Sequence, residues 1–98
     1  MPTTAQPGPR VSLVIPAYNE SELLPRLLDT VEAAREAYNR GRDEVEIIVA
    51  DNCSTDGTAT IAEARGCRVV EVVQRRIASV RNGGAAAASG EILCFVDA

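Results

Sequence analysis

The sequence predicts an α/β protein with an open, Rossmann-like sheet of four parallel strands joined by helical crossovers. Short runs of apolar and β-branched residues alternate with segments whose apolar residues recur at helical spacing. The second and fourth of the predicted strands are almost continuously apolar, as expected when helices cover both faces of a parallel sheet. Strands separated by helical crossovers run parallel, which gives the fold class.

The first strand is predicted at Val11 to Ile15 and is closed by Pro16. A helix should follow, because apolar residues recur every three or four positions between residues 23 and 38. Ser21 would cap this helix, and Pro25 would lie in its first turn, where a missing N–H does least harm. Gly41 would mark its exit.

The second strand is predicted at Val45 to Ala50, and the polar stretch "DNCSTDGT" after it should form a turn. A short helix is expected over residues 58–65. Its N-cap would be Ser54 or Asp56, and Gly66 would end it.

A valine-rich third strand is predicted at Arg68 to Val73, followed by a helix over residues 77–89 that stops at Gly90. The two glycines at positions 83 and 84 favour close packing of this helix on the sheet, with a role facing a ligand as the alternative. The fourth strand, Glu91 to Val96, is predicted to be fully buried.

The 98 residues allow at most one domain, and we divide them into a flexible tail at 1–10 and a folded part at 11–98. The net charge is −4, and the chain has neither lysine nor histidine. An acidic chain without a basic stripe is a poor nucleic-acid binder, and the missing histidine excludes Ser-His-Asp triads. No apolar run reaches the ~20 residues of a membrane span. Three widely spaced cysteines favour reduced thiols and a cytoplasmic location.

Polar side chains follow three of the predicted strands. Tyr18 and Glu20 lie in "PAYNE" after the first strand, Asp51 and Asn52 follow the second, and Asp97 follows the fourth. Because parallel strands end at one edge, these side chains should meet where open α/β sheets bind ligands. Each could alone form a local turn or begin a helix, so the prediction depends on their convergence.

The ligand class can be narrowed by the motifs that the sequence lacks. There is no Gly-x-Gly-x-x-Gly after the first strand, and no lysine for a Walker motif. A phosphate at this edge would therefore have to be held by arginine or by a metal ion on carboxylates.

Three blocks of the chain resemble the opening blocks of the family 2 glycosyltransferases, which have the GT-A fold. The blocks are "VSLVIPAYNE", "EIIVADNCSTDGT" and "RNGGAAAASGEILCFVDA", and together they span residues 11–98. The resemblance implies a strand order of 3-2-1-4. It also implies that these residues are the N-terminal, nucleotide-sugar-binding half of a longer enzyme.

The resemblance further implies a site for a nucleotide-diphosphate sugar, most simply a UDP-sugar. Asp51 would accept a hydrogen bond from the N–H of the base. Asp97 would be the first carboxylate of an Asp-x-Asp motif that binds Mn²⁺ or Mg²⁺ and, through it, the diphosphate. The residues implied to surround the nucleotide sugar are Pro16, Ala17, Tyr18, Glu20, Asp51, Asn52, Arg81, Asp97 and Ala98.

Two departures from the family pattern bear on activity. Asn52 stands where the family often has a second aspartate, and the sequence stops at Ala98, before the second carboxylate of Asp-x-Asp. The family's catalytic base also has no counterpart here. We therefore expect the longer enzyme, which could be membrane-associated, to transfer sugar to an acceptor hydroxyl with inversion and a metal ion, and this stretch alone to be inactive.

A noncatalytic module is the alternative function. A generic Rossmann-like domain would bind a nucleotide without a metal. A half-sheet whose fourth strand is unpaired on one side could also associate with a second copy of itself.

Overall fold

The structure, a computed structural model, describes residues 9–38, 42–74 and 76–97. Strands and helices alternate along these ranges in the predicted order. The elements are β1 (Val11–Ala17), α1 (Leu24–Ala37), β2 (Val45–Asp51), α2 (Thr58–Ala64), β3 (Arg68–Glu71), α3 (Ile77–Ala86) and β4 (Ile92–Phe95), with a short 3-10 helix at Arg42–Glu44 before β2.

The four strands form one parallel sheet in the order β3-β2-β1-β4. Val11 of β1 lies opposite Val45 of β2 on one side and opposite Ile92 of β4 on the other. This arrangement confirms the predicted fold class and the strand order that the resemblance implied. Because the chain moves to opposite sides of β1 before and after β3, the carboxyl end of β1 is the topological switch point of the sheet.

The helices cover the two faces of the sheet and give two apolar clusters. On one face, α1 and α2 pack on β1 and β2, with Ile15, Leu24 and Leu28 at 0–1% exposure. On the other face, α3 packs through Val80 against Val14 and other residues of β1 and β2. The alternation of side chains along each strand therefore places successive residues in different clusters.

β1 extends to Ala17, two residues past its predicted end, and Pro16 lies inside it opposite Ala50. Proline lacks an N–H, so it normally weakens a central strand. The carbonyl of Val14 accepts from Val96 on the β4 side, and Pro16 faces the same side by alternation. β4 has ended there, so the proline removes no hydrogen bond from the ladder between β1 and β2.

The prediction that Ser21 caps α1 is wrong, but the prediction that Pro25 lies in its first turn is confirmed. The cap position is Leu23, without a side-chain hydrogen bond, whereas the N–H of Ser21 bonds to a carboxylate in the loop after β2. Pro25 is the second helical residue, as expected for a first-turn proline. The predicted exit at Gly41 lies outside the described residues.

Neither predicted N-cap of α2 occupies the cap position, which belongs to Gly57. The side chain of Asp56 nevertheless accepts the N–H of Thr58, the first helical residue, at 3.0 Å. The predicted end is confirmed, because Gly66 has φ +82° and its N–H bonds back to a carbonyl of α2. A residue with a side chain would be strained in that conformation.

β3 and α3 are both shorter than predicted, and α3 ends at Ala86. The close-packing interpretation of the two glycines in α3 is supported. A Cβ added at Gly84 would overlap Cγ1 of Val14, and one at Gly83 would overlap Cγ2 of Val72. Gly90 does not end the helix. It lies against β1, where a Cβ would come within 2.8 Å of the backbone nitrogen of Ser12.

A polar cluster at the amino end of the sheet fixes the segment between α3 and β4. Oε2 of Glu46 accepts hydrogen bonds from the hydroxyl of Ser12, which is fully buried, and from the N–H and hydroxyl of Ser89. Burial raises the pKa of the Glu46 carboxyl, but these hydrogen bonds outweigh it, and the pKa is lowered overall. The charge is therefore retained and ties β1, β2 and the α3–β4 segment together.

The prediction that β4 is buried is wrong, since all four of its residues are exposed. Leu93 and Phe95 expose 43% and 41% of their surface. The physical reason is that β4 is an edge strand, paired only with β1 among the described strands. An apolar groove of about 510 Å³ also runs between α1, β1 and β4, and its wall includes Leu13, Cys94 and Val96.

The predicted flexible tail falls mostly on residues 1–8, outside the described ranges. Arg10 is hydrogen-bonded on both sides, because its N–H bonds to Glu44 and its carbonyl accepts from Ile92. Among the described helices, none combines the length and apolar character that crossing a bilayer requires.

Candidate functional site

A cavity of about 450 Å³ opens at the carboxyl edge of the sheet, at the switch point beside β1. Its wall is formed by the end of β1 and the loop after it, by Asn52 just after β2, by the first turns of α3 and by Asp97. The lining residues are Pro16, Ala17, Tyr18, Glu20, Asn52, Ile77, Val80 and Asp97. Residues far apart in the sequence therefore meet at one rim, as the sequence predicted from the direction of the strands.

The structure brings most of the implied site residues into this wall. Of the implied site residues that the structure describes, two do not line the cavity, Asp51 and Arg81. Asp51 lies beneath the rim, and Arg81 lies beside Asp97. Ala98 lies outside the described residues.

Asn52 is only 6% exposed, and its orientation is fixed by three hydrogen bonds. Its carboxamide nitrogen donates to the carbonyls of Val72 at 2.6 Å and Gln74 at 2.8 Å. Its backbone N–H donates to the carbonyl of Ala17 at 2.9 Å. Both carboxamide hydrogens are thereby used, so the side chain can offer a ligand in the cavity only its oxygen, an acceptor.

Asp51 is buried at 5% exposure and both of its carboxylate oxygens are engaged by Ser54. Oδ1 accepts the Ser54 hydroxyl at 2.5 Å and Oδ2 accepts the Ser54 N–H at 3.3 Å. This is the local turn that was the alternative to a ligand contact. Of the two neighbouring residues, Asn52 is the one that reaches the cavity.

Asp97 presents a carboxylate with 69% of its side chain exposed, and it forms an ion pair with Arg81. Oδ1 of Asp97 lies 2.9 Å from Nη2 of Arg81. The guanidinium carbon lies 5.7 Å from the centroid of the Phe95 ring, within the range of a cation–π contact. Sequence reasoning placed both charged residues near the ligand but did not predict that they pair.

A loop-to-loop latch, which the sequence analysis missed, holds the cavity wall in place. Three successive N–H groups after β1 donate to side chains of the loop after β2 and of the first residue of α2, and an asparagine of the first loop accepts in return. The bonds run from the N–H groups of Asn19, Glu20 and Ser21 to Ser54 (2.9 Å), Thr58 (3.0 Å) and Asp56 (3.1 Å), and from the N–H of Thr55 to Asn19 (2.8 Å). Polar side chains in "STDGT" indicated a turn, but their partners in the latch lie 35 or more positions away.

Asp56 is the charged member of the latch. It accepts the hydroxyl and N–H of Thr58 and the N–H of Ser21. Chiefly through the Thr58 hydroxyl, these hydrogen bonds lower the pKa of the Asp56 carboxyl from 3.8 to about 2. The latch therefore contains an ionised carboxylate at neutral pH.

Ile77 and Val80 also line the cavity, and sequence reasoning assigned them to a helix without a role in the site. Ile77 is 60% exposed although it is apolar. Their position in the sequence could have indicated this place, because a helix that begins at the carboxyl edge of a sheet brings its first turns to the crevice where such sheets bind ligands. They give one wall of the cavity an apolar surface.

The donor atoms can be compared with those that the implied metal ion needs. The described residues contain no group of three His, Cys, Asp or Glu side chains that could hold a cation. Asp97 offers one carboxylate at the cavity rim. Mg²⁺ is often bound by one or two carboxylates completed by substrate phosphates and water. The donor set therefore fits a divalent cation that is shared with a phosphate ligand.

Comparison with known proteins shows the family to which this chain belongs. The model of the glycosyl transferase family 2 matches residues 12–98. Validoxylamine A glucosyltransferase of Streptomyces hygroscopicus subsp. jinggangensis is 37% identical over an alignment of 103 positions, which covers 99% of this chain and 24% of that relative. The chain thus spans about a quarter of the length of this relative.

Two solved structures are similar in both sequence and fold. Glucosyl-3-phosphoglycerate synthase from Mycobacterium tuberculosis, in complex with Mn²⁺, UDP and phosphoglyceric acid, superposes with a TM-score of 0.74 at 32% identity, covering 92% of this chain and 33% of that one. A mannosyltransferase from Pyrobaculum calidifontis, in complex with GDP-Man and Mn²⁺, gives 0.78 at 30% identity, covering 99% and 30%.

The family match covers residues 12–98 and thus every residue that lines the cavity. This chain therefore belongs to glycosyl transferase family 2.

Proposed function

We propose that this chain is the donor-binding part of an enzyme that transfers a sugar from a nucleotide-diphosphate sugar to an acceptor hydroxyl. The observation that carries the proposal is the cavity at the switch point, where a fixed acceptor, an apolar wall and an exposed carboxylate face one space. These are the groups that a base, a ribose and a metal-bound diphosphate require. The family membership and the nucleotide complexes of the two similar structures support the same ligand class.

We propose that the base lies between Tyr18 and the apolar wall from α3, with Asn52 as its polar contact. Tyr18 is 44% exposed at the cavity, and aromatic rings commonly stack on bases. The carboxamide oxygen of Asn52 would accept the ring N–H of a uracil. Asp51, for which the resemblance implied this contact, would instead shape the turn that presents Asn52. UDP is the preferred nucleotide. GDP is its competitor, because guanine also carries a ring N–H.

Mn²⁺ or Mg²⁺ would be held by Asp97 together with diphosphate oxygens. When bound, a divalent cation stabilises the negative charge that develops on a departing diphosphate. The carboxylates that line the cavity are Glu20 and Asp97. With these assigned to the nucleotide and the cation, we propose inverting transfer with a base supplied from elsewhere, and no turnover by this chain alone.

The test is nucleotide binding by this chain, measured by isothermal titration calorimetry with UDP and with GDP, each with and without Mn²⁺. We expect UDP to bind more tightly than GDP and Mn²⁺ to strengthen binding. Asn52→Ala should weaken UDP binding whether or not Mn²⁺ is present, because the base contact does not involve the metal. Asp97→Asn should remove the part that depends on Mn²⁺.

Glu63→Ala, on an exposed face of α2, is the matched control and should bind as the wild type does. Circular dichroism would verify that each variant is folded. Failure of a folded wild-type chain to bind either nucleotide at millimolar concentration would refute the proposal. Transfer of sugar by this chain alone would refute the part of the proposal that concerns turnover.

A second candidate function, a self-associating module, is favoured by the exposed β4 edge and the apolar groove beside it. Free strand edges pair readily with other strands. The cytoplasmic location expected from the sequence stays a prediction.

A further inference from the structure

We propose that Arg81 is an exchangeable counter-ion of this site, which competes with the divalent cation for Asp97 and moves to the diphosphate when both bind. The inference rests on the proposed function and adds to it an order in which nucleotide and cation bind. The cation should bind weakly without nucleotide, and nucleotide should relieve the competition.

The first step is the shared oxygen. Nη2 of Arg81, on α3, lies 2.9 Å from Oδ1 of Asp97, just after β4. A divalent cation on that oxygen would lie within a few ångströms of a guanidinium that is always positively charged. The two positive groups repel each other at that distance, so occupancy by one weakens binding of the other.

The second step is that the pair can be exchanged. The side chains of Arg81 and Asp97 are 41% and 69% exposed. Exposed ion pairs contribute little to stability, because water screens the attraction and both side chains lose conformational freedom. The guanidinium also lies over Phe95, which gives it a resting position that does not depend on Asp97.

The third step is an unused donor. Nε of Arg81 is buried and has no hydrogen-bond partner in the described part of the chain. The contact to Asp97 therefore uses one arm of the guanidinium, whereas Nε and Nη2 together form the fork that matches two phosphate oxygens. Once the side chain turns from Asp97 toward the cavity and uncovers Nε, a diphosphate at the rim would accept from both Nε and Nη2, which favours transfer of Arg81 from the carboxylate to the phosphate.

The experiment measures Mn²⁺ binding by the loss of the free-ion electron paramagnetic resonance signal, without and with saturating UDP. Arg81→Gln removes the charge and keeps a hydrogen-bonding side chain. Arg26→Gln, exposed on α1 and away from the cavity, is the control with the same change in net charge. Asp97→Asn should remove the Mn²⁺ site and thereby identify it.

Without UDP, we expect Arg81→Gln to bind Mn²⁺ about two- to fivefold more tightly than Arg26→Gln, the size expected for losing one exposed charge–charge contact. With UDP, the sign should reverse, and Arg81→Gln should bind UDP and Mn²⁺ less tightly than the control. Equal Mn²⁺ affinities for the two variants without UDP would overturn the inference. Weaker Mn²⁺ binding by Arg81→Gln in both conditions would also overturn it, since Arg81 would then only support the site.

The measurements without and with UDP distinguish this inference from the proposed function. If the wild type binds no nucleotide, the proposed function fails, and with it the transfer of Arg81 to the diphosphate. The competition for Asp97 is still decided by the measurement without UDP.

Discussion

Asp56 shows how one exposed carboxylate can link two loops that border a cavity. Its oxygens accept from Ser21 in the loop after β1 and from Thr58 at the start of α2. All of these donors favour the ionised form, so protonation should loosen the latch.

We predict that Asp56→Asn lowers stability at neutral pH and that its effect becomes smaller as the pH falls below about 4. The pKa of Asp56 in the folded chain, about 2, lies below its ordinary value of 3.8. A depressed carboxyl pKa stabilises the folded state above the ordinary value, and this contribution is lost as the pH falls from about 4 toward 2. The measurement is the urea midpoint of wild type and variant at several pH values from 7 down to 3.

Glu63→Gln, which changes the charge equally at an exposed position of α2, is the control and should leave the urea midpoint nearly unchanged. A gap between wild type and Asp56→Asn that stays constant from pH 7 to pH 3 would contradict the assignment.

The neighbours Asp51 and Asn52 show why residue type alone does not assign a role. Both were predicted at the ligand edge, and both are at least 94% buried, at 5% and 6% exposure. Asp51 satisfies its oxygens within its own turn, whereas Asn52 reaches across to the carbonyls after β3. The difference arises from the turn geometry, in which the following residue, Cys53, adopts a positive φ of 57°.

At the scale of elements, the contact between α3 and the sheet decides where the apolar wall of the cavity lies. Gly84 is buried against Val14 of β1 and Ala50 of β2, so the helix backbone lies directly on the strands. Val80, one turn earlier in α3, consequently reaches both the core and the cavity.

We predict that Gly84→Ala destabilises the chain although alanine is the better helix former. The helix-propensity gain is about 1 kcal/mol, whereas forcing a methyl group into a packed core costs about 1–3 kcal/mol. A Cβ here would overlap Val14, a β1 side chain enclosed on all sides, so we expect the steric cost to win. The expected result is a fall in the thermal midpoint of several degrees, measured by circular dichroism.

The matched control is Gly57→Ala, because a Cβ at Gly57 meets nothing within 4 Å and its φ is −87°. That variant should unfold within a degree or two of the wild type. A Gly84→Ala chain as stable as Gly57→Ala would mean that α3 can move away from the sheet without cost.

At the scale of the whole molecule, the β4 edge of the sheet presents a defined pattern of backbone groups. The N–H groups of Ile92 and Val96 bond to β1, so by alternation the N–H and C=O groups of Leu93 and Phe95 face away from it. A two-fold axis at Cys94 would pair two β4 strands antiparallel through those groups. The two Cys94 side chains would then lie directly opposite each other.

If the chain self-associates as the second candidate function requires, sedimentation velocity should show a monomer–dimer equilibrium that shifts with concentration. Mild oxidation should then trap a disulfide-linked dimer, because opposed Cβ atoms of a non-hydrogen-bonded pair lie about 4.5–5.5 Å apart, close to the spacing of a disulfide. Leu93→Pro should weaken the dimer, since it removes an outward N–H and none that bonds to β1.

Cys94→Ser is the control and should remove the covalent dimer while leaving the reversible one. A wild-type chain that sediments as a monomer throughout the concentration range would rule out this mode of association.

The alternation of apolar strands and amphipathic helices determined the element order, the parallel sheet and the edge at which polar residues collect. The three sequence blocks, through the family they resemble, also anticipated the strand order. These features follow from local patterns of the chain, because side-chain periodicity and strand direction depend on residues close together in sequence.

Only the tertiary structure decided which of the polar residues at that edge reach the cavity. It showed that Asn52 lines the cavity while Asp51 stays in its turn, that Arg81 pairs with Asp97, and that β4 is exposed. The latch between the two loops and the apolar wall from α3 also appeared only in the structure. The physical reason is that packing, and not the local pattern of residues, sets the distance and orientation of these side chains, most of whose partners lie 16 or more positions away in the sequence.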